Sequence, residues 1–269
     1  MTGGLSAARA WAIPHFEARE AGYIGRLTGV AVDLALLSSE GPSFLFRWVH
    51  LLTGITWIGL LYYFNFVQVP FMGEAGTEPA RPVATRFLVP RALWWFRWGA
   101  VGTWVTGFIL ILLKIQQAGG GIMSQSWGYT IQLGMLLGTI MFLNVWLIIW
   151  PKQKIVIASA EAVAAGGQAD PNAAEAGKRA FMASRTNTLF SIPMLFFMGA
   201  ASHLSVVGNG ERPLVGVGIV FAIIAAAEAN AIWGKRGEGP AKMLEKHVGV
   251  IHVGLVLAVV FYLLLEFTG

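Results

Sequence analysis

Residues 46–59 read Phe46-Arg47-Trp48-Val49-His50-Leu51-Leu52-Thr53-Gly54-Ile55-Thr56-Trp57-Ile58-Gly59. This is an apolar helical pattern with a histidine about two turns inside, an arginine just outside and small residues on the face between. An imidazole in hydrocarbon is costly unless it binds or bonds something. The fold and the function both turn on what His50 does there.

Composition sets the environment of that stretch. Of 269 residues, 56% are hydrophobic and only 12% charged, with a mean hydropathy of +0.64. That balance is too apolar for a solvated surface, and it predicts an all-α integral membrane protein. The net charge of +5 does not point to nucleic acid, because Lys and Arg cluster in the connections between apolar runs, where they act as topology signals. The absence of cysteine excludes disulfides, thiolate metal sites and covalent c-type haem attachment within this sequence. The first forty residues carry Arg9, Glu17, Arg19, Glu20, Arg26 and Asp33 and contain no standard signal-peptide pattern.

A membrane helix needs roughly 20 apolar residues to cross about 30 Å of hydrocarbon. Runs of that kind fall at 43–70, 92–114, 127–150, 187–208, 213–234 and 246–267, predicting a bundle of about six spans over residues 43–269, preceded by an amphipathic extension over 1–42. The connections at 71–91, 151–186 and 235–246 hold most of the basic residues. The positive-inside rule therefore makes them cytoplasmic and places both termini outside, in a bacterial inner membrane. Within 151–186, Ile155–Ala165 and Ala173–Met182 read as two short surface helices hinged at residues 166–171. Gly134 and Gly138 make a small-xxx-small face for close helix contact.

Topology sorts the histidines by depth. His50 lies about two turns into the first span from the outer side, and His203 lies one to two turns from the outer end of the fourth. That match suits a non-covalent, bis-histidine haem b, with Arg47 placed for a propionate and Gly54 for close approach of a flat macrocycle. Each feature also has a plainer reading: a membrane histidine can simply bond a neighbouring helix, Arg47 can snorkel, and glycines serve packing. His252, Glu228 and Asn144 fall at a common inner depth and suggest a polar layer, as an interhelical bond, a proton path or a second cofactor site. His15 lies in the extension and reads as a solvated surface residue.

The run Arg47-Trp48-Val49-His50 with Ile55-Thr56-Trp57-Ile58-Gly59, the later Trp95-Phe96-Arg97-Trp98 with Trp104 and Gly107, the segment Asn144-Val145-Trp146 to Trp150-Pro151, and Asn187 to His203 resemble the membrane domain of the membrane-bound, cytochrome-c-linked urate oxidases, over roughly residues 43–208. The resemblance implies a multi-span helical domain passing electrons from a substrate towards an outer-side cytochrome c. Members of that type carry a C-terminal cytochrome c domain. This sequence has no Cys-x-x-Cys-His run, so a separate cytochrome c or other redox subunit is the expected partner. The alternative is a non-catalytic accessory subunit of a larger respiratory-type complex, docked through its glycine-rich faces and N-terminal arm. A copper- or porphyrin-handling protein is a third class sharing the first motif. No catalytic residue is assigned by sequence.

Overall fold

The structure, a computed structural model, describes residues 36, 38, 40–206 and 213–268. The extension expected over residues 1–42, with His15, lies almost wholly outside the described residues. All regular structure among the described residues is helical. Six long helices follow one another: α1 Gly41–Gly73, α2 Ala80–Ala118, α3 Ser126–Ala164, α4 Ala173–His203, α5 Leu214–Trp233 and α6 His247–Phe267. Short 3-10 turns at Gly120–Ser124 and Gly239–Leu244 connect some of them.

Five of the six, all but α4, are long and apolar enough to cross a membrane. The segment expected as a fourth span, 187–208, is helical as far as His203 but falls short on apolarity, and the reason is its position. Helix α4 packs against α3, α5 and α6 and touches α1. It buries Thr186, Asn187, Thr188 and Ser191 beside Phe190 and Phe197. A helix surrounded by protein can carry polar groups that one facing lipid cannot.

The two short surface helices expected after residue 150 are instead continuous with the spans beside them. Helix α3 runs on to Ala164 and α4 starts at Ala173. The expected hinge is present between them, closed by Gly166 at φ +84° and by the Gly167 amide donating to the Ala162 carbonyl at 2.9 Å.

Three of the helices widen into π turns: Tyr63–Gln68 in α1, Ala84–Leu88 in α2 and Asn144–Ile149 in α3. Each is followed, two residues on, by a proline: Pro70, Pro90 and Pro151. Proline has no N–H to donate back along the helix, and its ring crowds the carbonyl one turn earlier. A wider turn before it relieves that conflict.

Bare backbone lets neighbouring helices approach closely. A Cβ on Gly134 would lie 3.3 Å from the Met198 amide, and one on Gly99 would lie 3.1 Å from the Trp57 amide. The first bears out Gly134 as an α3 packing position, here against α4. The second brings α2 against α1 within the stretch 46–59 that carries His50.

Candidate functional site

His50 is half-buried on α1, and its ring packs against Gly107 of α2, where a Cβ would come within 3.0 Å of Cε1. Its Nδ1 lies 3.1 Å from Thr106 Oγ1. The Thr106 hydroxyl donates to the Gly102 carbonyl at 2.6 Å. A hydroxyl has one proton, so Nδ1 is the donor in the His50–Thr106 bond. In a neutral ring this fixes the Nδ1–H tautomer and leaves the Nε2 lone pair available, the arrangement that metal-binding histidines use.

His203 is the last residue of α4 and is exposed. The two histidines share no hydrogen bond, and their positions are related only through the contact of their two helices. Tyr62 on α1 and Ser191 on α4 are joined by a hydrogen bond of 3.0 Å. Each histidine lies twelve residues along its own helix from that bond, about 18 Å at the usual rise. Arg47 is exposed. Gly54 faces α2, where a Cβ would meet Thr103 at 3.8 Å. No group of three or more His, Cys, Asp or Glu side chains among the described residues is arranged to hold a metal ion.

The inner polar layer is partly assembled. Asn144 Nδ2 donates to Glu228 Oε2 and to Asn187 Oδ1, both at 3.0 Å, and Asn187 Nδ2 donates to the Met141 carbonyl at 2.9 Å. The cluster ties α3, α4 and α5 together. His252 stands apart: it is exposed, and its Nδ1 lies 2.9 Å from the Val248 carbonyl one turn back on α6. Asn187 is a member that depth and residue type alone do not single out. The signal for it is the polar run Arg185-Thr186-Asn187-Thr188 at the mouth of an apolar segment.

A third polar concentration lies where the π turns of α1 and α3 approach α4. A cavity of about 350 Å³ is lined there by Asn65 and Gln68 from α1, Ile149 and Gln153 from α3, Ser184 from α4, and Arg236. Asn65 is wholly buried, and its Nδ2 donates to Ser184 Oγ at 2.8 Å and to the Leu61 carbonyl at 2.9 Å. Its Oδ1, like Gln68 Oε1, is buried with no hydrogen-bond partner.

Arg185, next to the lining Ser184, is 1% exposed, with Nε and Nη1 also unpartnered. It precedes the expected span, and burial first, then the Arg236 guanidinium, pull its pKa down to about 10. It therefore stays charged at neutral pH. The Arg185 and Arg236 guanidinium carbons lie 5.0 and 4.1 Å from the centre of the same Phe181 ring.

Five apolar helices packed with a polar-bearing central one define a multi-pass membrane protein in contact with lipid. Residues 122–262, more than half of the chain, match the urate oxidase N-terminal family, and the chain belongs to that family. The match includes Asn144, Asn187, His203, Glu228 and His252. It begins downstream of Arg47, His50 and Gly54, so the resemblance at residues 46–59 lies outside it. Comparison with curated proteins and with solved structures found no match.

Proposed function

We propose that this chain is the membrane domain of a urate-oxidase-type oxidoreductase in a bacterial inner membrane, passing electrons from a reduced substrate towards a cytochrome c on the outer face. Membership of the urate oxidase N-terminal family carries this reading. His50 and His203 are the residues that would hold a b haem. The equal offset of the two histidines from the Tyr62–Ser191 bond supports this, as does the lone pair left on His50 Nε2 by the bond to Thr106. Held there, such a group would supply one-electron transfer, with its potential tuned by ligation and burial. Thr106 orients the His50 ring, Gly107 leaves room for it, and Arg47 lies one turn outward, where a guanidinium can pair with a propionate.

A reduced-minus-oxidised absorbance spectrum of the purified chain tests the reading. A b-type band is expected in the wild type and lost in His50→Ala and in His203→Ala. A featureless wild-type spectrum would sink the haem assignment. Reduction of the band on adding urate separates an enzyme from a relay that receives its electrons from another subunit.

A further inference from the structure

The cavity between the π turns of α1 and α3 and helix α4 holds a combination that the redox reading leaves unused. Two guanidinium groups, Arg185 and Arg236, lie over one phenylalanine ring. Among the described residues no carboxylate comes within salt-bridge distance of either: the only pairs are Glu78 with Arg81, and Glu175 with Lys178 and Arg179. Arg185 is buried and bonded only at Nη2, by a long 3.5 Å contact to the Glu245 carbonyl. A buried cation without a counter-charge is unfavourable, and a bound anion would relieve it.

The opposite need is present in the same cavity. Asn65 Oδ1 and Gln68 Oε1 are acceptors with nothing to accept from. The orientation of the Asn65 amide is set by the two bonds its nitrogen already donates. A phosphate diester or sulfate would neutralise the arginines but offers no proton to these two oxygens, and hydrogenphosphate, which does carry an O–H, has no flat ring to pack on the aromatic walls. A ligand that carries negative charge and N–H groups satisfies both. The walls add Phe64, Phe96 and Phe181, against which a flat ring can pack.

We infer that this cavity is the binding site for a small planar anion bearing ring N–H groups. Arg236 provides the charge contact at the lining, Arg185 supplies a second positive charge beside it, and Asn65 and Gln68 receive the ligand's N–H groups. The inference rests on the proposed function for the choice of urate as probe, while the site itself rests on the unpartnered groups. The cavity and His50 lie at opposite ends of α1, with Asn65 fifteen residues beyond His50, about 22 Å along the helix. Binding can therefore be measured apart from any haem.

Equilibrium dialysis of the full solubilised chain against radiolabelled urate tests the site, with Arg236→Gln and Gln68→Leu as variants. One-to-one saturable binding is expected. It should be weakened at least tenfold in each variant and partly restored in Arg236→Lys. Arg236 is exposed, so its replacement leaves the fold in place. Urate bound equally by wild type and Arg236→Gln would overturn the assignment. So would displacement of urate by inorganic phosphate at equal concentration, which would mark a simple oxyanion site. Loss of urate binding in nanodiscs of phosphatidylglycerol but not of phosphatidylcholine would assign the arginines to a lipid headgroup and overturn it as well. Failure to bind urate with a b-type spectrum intact would remove this site and leave the proposed function standing. Binding without any haem band would do the reverse.

Discussion

At the scale of single residues, the second partner of each side chain decides its role. Thr106 commits its proton to Gly102, and that commitment fixes which His50 nitrogen is left for a ligand. Under the proposed haem assignment, Thr106→Val, which keeps the shape and removes the acceptor, should weaken haem retention by about tenfold or more, read as the haem-to-protein ratio after dilution. Retention equal to wild type would mean that the bond does not orient His50. Asn144 works by a different logic, because its one amide group serves both Glu228 and Asn187. Replacing it by leucine leaves two acceptors between packed helices without a donor. Asn144→Leu should cost about 1–2 kcal/mol of stability, seen as a lower unfolding midpoint in mild detergent. Glu228→Gln retains an acceptor and should cost less. If Asn144→Leu unfolds with the wild type, the cluster is not structural. Asn144 and Glu228 were legible in the sequence as polar groups in apolar runs. Asn65, Thr106 and Arg185 were not, because what distinguishes them is the presence or absence of a partner, and only the packed helices reveal that.

At the scale of elements, apolar run length located every helix but did not give its extent or rank. The run at 127–150 is the middle of a helix that continues to Ala164, since Pro151 is absorbed by the π turn before it rather than ending the helix. A rule that proline stops a helix fails where the preceding turn can widen. Helix α4 combines the weakest apolar signal of the six with the most buried surroundings, a consequence of burial by neighbours rather than by lipid. The α1–α2 contact shows the same dependence on context. Gly54 and Gly59 stand out in the stretch 46–59, yet the tight positions are Gly99 and Gly102 on the facing helix, while a Cβ added at Gly59 would meet nothing within 4 Å. Gly99→Leu should therefore cost about 1–3 kcal/mol by overpacking against Trp57 and Thr53, and Gly59→Leu should leave stability unchanged. Thermal unfolding of the two variants side by side checks this, and equal midpoints would show that α1 and α2 can separate without cost.

At the scale of the whole molecule, the polar groups concentrate at two ends that the charge pattern of the sequence assigns to opposite sides of the membrane. The His50 and His203 end carries the loop around residues 119–125, and the cavity end lies toward the basic connections. Electrons delivered to an outer cytochrome c need the histidine end outside, and a ligand entering the cavity from the basic side would then come from the cytoplasm. The absence of cysteine makes this orientation testable residue by residue with single introduced thiols and a membrane-impermeant maleimide. Ala75→Cys, Gln168→Cys and Glu238→Cys sit at exposed positions in the basic connections, and Gly120→Cys sits at an exposed position in the opposite loop. In intact cells stripped of their outer membrane, only Gly120→Cys should label, and the other three should label once the inner membrane is permeabilised. The reverse pattern would contradict the positive-inside assignment. It would turn the cavity to the outside and His50 to the cytoplasm, and an outer cytochrome c could then no longer be the acceptor for a haem held at that end.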